Sequence, residues 1–110
     1  MSVIELTSKN FDEIVNNDSK PVLVDFWAGW CGPCMMLKPV VHEAADERDD
    51  FVFCSVDVDE QADLAERFSV MSIPTLIIFK NGQIIEKTQG AMSRDKLDMF
   101  LDSCIAGKNN

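Results

Sequence analysis

Cys31 and Cys34, separated by Gly32-Pro33, are the residues of this 110-residue chain whose type and spacing most directly imply chemistry. Residues three apart on a helix share a face. Two thiols so placed bring their sulfurs within disulfide reach. The pair follows an apolar strand pattern, Val22-Leu23-Val24-Asp25-Phe26-Trp27, and precedes an apolar repeat at Leu37, Val40, Val41, Ala44 and Ala45. The repeat has the spacing of one helix face. The thiols therefore fall at a strand-to-helix junction. First-turn N–H groups have no partner inside a helix, and that end of the dipole is positive. A thiolate is stabilised there and becomes a nucleophile at neutral pH. Two other readings of the pair are a permanent disulfide and half of a zinc site. Zinc sites usually take a second Cys or His pair at close spacing. The remaining cysteines, Cys54 and Cys104, are isolated, and the only histidine is His42, so no metal is expected.

Asp25 is the one acid in its strand pattern. Buried, its carboxyl would hold its proton longer and could exchange it with Cys34 as that thiol attacks. Exposed at a strand end, it would be inert. The residues alone leave both readings open. His42 stands eight residues past Cys34, about 12 Å along a helix. That is too far for a Cys–His pair, and it lies off the apolar stripe, so a solvated side chain is expected. Cys54 and Cys104 read as buried small hydrophobes, free Cys being among the most buried residue types. The alternative is an oxidation-dependent dimer through Cys104.

The elements that position these residues alternate between strand and helix patterns. Val3–Leu6 reads as a first strand. A helix carrying Phe11, Ile14 and Val15 follows, capped by Thr7, Ser8 or Asn10, and then a loop over Asn16–Pro21. After the second strand comes the cysteine helix, which contains Pro39. Proline there removes the hydrogen bond to the Met35 carbonyl, so a kink is expected. Phe51–Val56 reads as the third strand, and Asp59 as the cap of a helix bearing Leu64, Ala65 and Phe68. Thr75–Phe79 and Ile84–Gln89 are strands joined by Asn81-Gly82, the strongest short hairpin signal. Ser93 caps a last helix with Leu97, Phe100, Leu101, Cys104 and Ile105 on one face, and Gly107–Asn110 is a tail. This order predicts an α/β fold with a mixed sheet covered on both faces.

Composition narrows the class further. The chain is 46% hydrophobic and 26% charged, the balance of a globular domain, and residues 1–110 are expected to form one domain. The formal net charge of −9 disfavours nucleic acid and anionic membranes as partners. Met1–Glu5 lacks the basic-then-apolar pattern of a secretory signal. Four cysteines without an export signal point to a reducing compartment, where a close pair reads as catalytic or metal-binding. A cytoplasmic protein is expected.

At this point the residues are similar to a known family. Trp30-Cys31-Gly32-Pro33-Cys34, Asp25, Pro39, Ile73-Pro74-Thr75, Phe79-Lys80-Asn81-Gly82 and Gly90 stand where the thioredoxin family has them. The resemblance runs from about Val3 to Ile105. It implies a five-stranded mixed sheet with four helices, and a protein-disulfide reductant that binds no cofactor. In that reading Cys31 attacks a disulfide in a client protein. Cys34 resolves the mixed disulfide, leaving Cys31–Cys34 oxidised, and a thioredoxin reductase restores the dithiol. The resemblance also assigns proton transfer to Asp25 and structural support to Gly32, Pro33, Trp27 and Pro39. The client groove would be made by Trp30, Ile73, Pro74, Gly90 and Ala91. Base rates favour a trans Ile73–Pro74 bond, whereas the family has it cis, so cis is expected. Ser55 departs from the pattern, because many relatives carry lysine there. Without that cation Asp25 should titrate higher. The chain is expected to be a monomer. Pro33 and the missing export signal argue against a dedicated oxidant or isomerase. Intact Cys31, Cys34, Asp25 and Pro74 argue against a redox-independent scaffold.

Overall fold

A computed structural model describes residues 2–17 and 19–108. The elements are β1 (Ile4–Glu5), α1 (Phe11–Val15), β2 (Val22–Trp27), α2 (Gly32–Glu47), β3 (Val52–Asp57), α3 (Ala62–Arg67), β4 (Thr75–Lys80), β5 (Gln83–Gln89) and α4 (Arg94–Lys108). The five strands form one mixed sheet in the order β1-β3-β2-β4-β5. β3 is parallel to both β1 and β2, while β4 is antiparallel to β2 and β5. The α/β class, the element order and the mixed sheet are those read from the sequence.

Alternation along the strands assigns two cores. Leu23, Phe53, Leu76 and Ile78 face α2 and α4, meeting Leu37, Val41, Ala44, Leu97 and Leu101. Val22, Val24, Phe26, Val56, Ile77 and Phe79 face the other way, onto Phe11, Val15 and Leu64. β2 is buried on both sides, so its apolar run is nearly continuous. Asp25 breaks that run on the face that looks toward α2. The hairpin forms at Asn81 and Gly82, with φ of 53° and 79°, the left-handed pair that such a turn requires.

Several boundaries move. β1 is shorter than Val3–Leu6, although the Leu6 N–H still donates to the Ser55 carbonyl at 2.8 Å. β3 starts one residue later than expected and extends to Asp57. Asn10 occupies the cap position of α1, but its side chain turns backward, accepting from the Thr7 N–H at 2.7 Å. Asp59 does not cap α3. Gln61 holds that position, without a side-chain cap, because Asp59 is engaged elsewhere. Ser93 caps α4 as expected, accepting from the Lys96 N–H at 3.2 Å. α4 continues through Gly107 and Lys108, where a tail was expected. Asp18 of the expected loop, and Asn109 and Asn110 of the expected tail, lie outside the described residues.

Candidate active site

α2 begins immediately after β2 and one short loop, and the cysteine pair is its first turn. Cys31 is the N-cap, in extended conformation, and its Sγ accepts the Cys34 N–H at 3.2 Å. That N–H is one of the donors a helix start leaves without an internal partner. Pro33 lies in the first turn of α2, where a missing N–H costs no helical bond. Cys31 and Cys34 are joined by a disulfide, with Cα atoms 5.2 Å apart. Cys34 is fully buried and Cys31 is 6% exposed. Cys31 is thus the less buried of the two, though more enclosed than an exposed thiol. The reason is its packing with Ala28, Trp27, Val58 and Ile73. A Cβ added to Gly32 would meet nothing within 4 Å, so the space beside Gly32 is open.

The opposite wall comes from the start of β4. The Ile73–Pro74 peptide is cis, as the resemblance implied and against the base rate. The Ile73 carbonyl oxygen lies 3.8 Å from Cys31 Sγ. Gly90 has φ of +93°, the left-handed region, and its N–H donates to the Pro74 carbonyl at 2.9 Å. Ala91 is exposed beside it. Trp30 is 73% exposed, and its indole N–H donates to Asp59 Oδ2 at 2.9 Å. An apolar groove runs on from Trp30 and Ile73 past Val58, Ala65, Val70 and Met71. Those last four were not picked out from the sequence as groove residues. Met71, 89% exposed just before the Ile73–Pro74 bond, was the available signal.

Asp25 stands on β2, the strand that leads into the pair. It is buried at 4% exposure, and its Oδ1 has no hydrogen-bond partner among the described residues. Burial without a compensating charge pushes its carboxyl up to about 7. The exposed strand-end placement is thereby overturned. Its register partners are Ser55 on β3 and Leu76 on β4, so neither flanking strand places a cation there. Trp27 packs against the pair, with the Lys38 ammonium 5.2 Å above its ring. Pro39 sits inside α2, one turn past Met35.

The other singled-out residues stay apart from the pair. Cys54 is fully buried, and burial pushes its thiol up to about 12. Cys104 is 8% exposed, and burial raises its thiol too, with Glu86 adding to the effect. Both thiols are thus held in the unreactive protonated form. His42 is exposed on α2. No helix among the described residues is long and apolar enough to cross a membrane.

Comparison with known proteins agrees with this geometry. The Thioredoxin family profile matches residues 2–103. Thioredoxin of Staphylococcus haemolyticus is 45% identical over 103 residues, covering 93% of this chain and 97% of that protein. Thioredoxin of Mycobacterium tuberculosis is 43% identical over 109 residues, covering 98% and 94%. A bifunctional thioredoxin reductase/thioredoxin of Mycobacterium leprae is 41% identical over 107 residues, which are 96% of this chain but 23% of that longer protein. Among solved structures, Malassezia sympodialis thioredoxin superposes with a TM-score of 0.84 at 38% identity, covering 93% of this chain and 90% of that one. The cysteine pair heads its helix within a match that spans almost every residue, and the chain belongs to the thioredoxin family.

Proposed function

We propose that this thiol–disulfide oxidoreductase works as a general reductant of protein disulfides, with Cys31 as nucleophile, Cys34 as resolving thiol and Asp25 as proton acceptor. The observation that carries the reading is the placement of Cys31. It caps α2, and its Sγ accepts the first-turn Cys34 N–H at the positive end of the helix, a contact that favours its thiolate. The space beside its neighbour Gly32 is open.

The reaction runs in two exchanges. The Cys31 thiolate attacks one sulfur of a client disulfide, and the other client sulfur leaves as a thiolate. Cys34 then gives its proton to Asp25 and attacks Cys31, releasing the second client thiolate and closing Cys31–Cys34. Supporting Asp25 in this role are its burial on the strand that leads into the pair and its lack of a fixed counter-charge. The cis Ile73–Pro74 bond leaves the Ile73 backbone beside Cys31. An extended client segment would pair with it strand-fashion. Trp30, Gly90 and Ala91 complete the groove, while Gly32, Pro33, Trp27 and Pro39 shape the motif. A thioredoxin reductase returns the dithiol, and the fusion of the two activities in the M. leprae relative supports that partnership. The chain acts as a one-domain monomer in the cytoplasm.

The test is insulin-disulfide reduction driven by dithiothreitol, comparing wild type with Cys31→Ser. Rapid turnover that is lost in the variant is expected. Equal, slow rates in both would overturn the reading.

A further inference from the structure

Sulfur is distributed unevenly between the core and the surface of this chain. With the pair closed, all four cysteines are enclosed: Cys34 and Cys54 are fully buried, and Cys31 and Cys104 are 6% and 8% exposed. Most of the described methionines are the reverse. Met71 is 89% exposed, Met36 71%, Met99 70% and Met35 38%. An oxidant in solution that meets the closed form therefore reaches thioethers before thiols.

Of these methionines, Met71 is the one that lines the client groove. It does so with Trp30, Val58, Ala65, Val70 and Ile73. Val58 and Ile73 also pack against the cysteine pair, so the groove and the pair share a wall. Met71 is two residues before Ile73, at most about 7 Å along the backbone, and the Ile73 carbonyl oxygen lies 3.8 Å from Cys31 Sγ. Met36 and Met99 stand on α2 and α4, outside that lining. The backbone on either side of Met71 is tied down. The Val70 N–H donates to the Ala65 carbonyl at 2.9 Å, just past the left-handed Ser69 that follows α3. The Thr75 hydroxyl donates to the Ser72 carbonyl at 2.6 Å. Between these ties the Met71 side chain is held out in water instead of joining the core. Methionine suits a groove that takes varied clients, because its unbranched thioether adapts to differing partners. The same thioether is oxidisable, and its sulfoxide is polar and chiral.

We propose that Met71 is a peroxide-sensitive modification site, and that its conversion to the sulfoxide loosens the groove's hold on client proteins. The inference rests on the client-groove reading given above. The Met71 sulfur lone pair attacks one oxygen of hydrogen peroxide. A sulfur–oxygen bond forms and the O–O bond breaks. The departing hydroxide takes the proton of the transferred oxygen and leaves as water. The sulfur is oxidised by two electrons, and the peroxide is reduced by the same two. The closed cysteine pair takes no part. A polar S–O group then stands in an apolar lining, and a client side chain seated there must strip water from it. Chemistry at Cys31 is untouched, so the effect falls on binding and not on the exchange step.

The test treats the closed form with hydrogen peroxide, removes the oxidant, and maps sulfoxides by mass spectrometry of the digested protein. Met71 is expected to oxidise at least as fast as Met36 and Met99, and faster than the half-buried Met92. Insulin reduction driven by dithiothreitol should then show a KM raised roughly fivefold with kcat within about twofold, less than the loss of a fully buried methionine contact would cause. Reduction of bis(2-hydroxyethyl) disulfide, which reaches Cys31 without filling the groove, should be unchanged. Each variant is compared with its own untreated sample. Met71→Leu should keep its insulin KM through the treatment, whereas Met36→Leu and Met99→Leu should weaken as the wild type does. Methionine sulfoxide reductases for the two epimers should restore the wild-type KM. A Met71 that stays a thioether while Met36 and Met99 oxidise would overturn the proposal. So would an oxidised Met71 with an unchanged KM, or a Met71→Leu that weakens like the wild type. Failure of the groove reading looks different: Met71→Asp, with no oxidant added, would then leave the insulin KM at the wild-type value.

Discussion

The two ends of helix α2 handle charge in opposite ways. At its N-terminus the Cys31 sulfur takes a first-turn helix donor, and the strand that leads into the helix carries a buried carboxyl with an oxygen that has no partner among the described residues. At its C-terminus every described arginine contact is matched. Arg48 reaches Asp50, Asp98 and Asp102 at 2.8–3.1 Å. Arg94 reaches Glu43, Glu47 and Asp98 at 2.6–3.1 Å. Acids at a helix C-terminus oppose the dipole, and the sequence gives no role for Glu47 or Asp50. In the fold Glu47 ties α2 to Arg94 of α4, and Asp50 braces Arg48, which reaches Asp98 and Asp102 of α4. One end of the helix is clamped, and the other is left electrostatically unfinished. The lesson is that a reactive site needs groups whose preferred protonation is still undecided near neutral pH. A rigid, fully paired region elsewhere on the same helix can hold such a site in place.

The comparison breaks most completely at the N-terminal end. Cys31→Ser removes the nucleophile without touching the arginine network. Insulin reduction should fall to the rate of dithiothreitol alone, while the thermal midpoint moves little.

The second largest effect is on stability, at Asp25. Its folded carboxyl titrates near 7 against an ordinary value of 3.8. Between those values the folded chain keeps a proton that the unfolded chain has released. Stability from this group is therefore complete below about pH 4 and is lost as pH rises through 7. At roughly 1.4 kcal/mol per unit the loss reaches up to about 4 kcal/mol. Asp25→Asn removes this slope. Urea unfolding of both proteins at pH 4 and pH 8 measures it, and parallel behaviour of the two would refute the assignment.

At the clamped end, Arg48→Met should cost about 1–2 kcal/mol and leave insulin reduction unchanged. The Arg48 side chain is only 13% exposed, but its three acids range from 33% to 68%. They return to water when the partner goes, so the cost stays below that of breaking a fully buried pair. Urea midpoints in low and high salt check this, with a smaller difference in high salt.

The smallest predicted change sharpens the contrast by pairing the unpaired group. Ser55→Lys places an ammonium in register with Asp25 and should lower its titration midpoint by about one unit. Carboxyl carbon NMR reads it directly, and an unmoved midpoint would show that the missing lysine is irrelevant.

Much of this was legible in the sequence where the signal is local. The thiol spacing, the apolar stripe behind it, the Asn81-Gly82 turn and the Ser93 cap each rest on neighbours a few residues apart. Asp25 was visible as a break in an apolar run, but its burial was not, because that depends on α2 crossing over β2. Asp59 was misread as a cap because local rules weigh it against the next helix. Its partner, the Trp30 indole, is 29 residues earlier. The arginine clamp joins positions about fifty residues apart, and the cavity beside Asp25 is framed by β1, β2, α2 and β3. Such features exist only once the chain is packed.

The most direct test of the central claim traps the reaction midway. Cys34→Ser protein, reduced and mixed with insulin, should accumulate a mixed disulfide that mass spectrometry of the digested adduct places on Cys31 alone. An adduct on Cys54 or Cys104, or no adduct while wild type still reduces insulin, would contradict the account of how this helix end works.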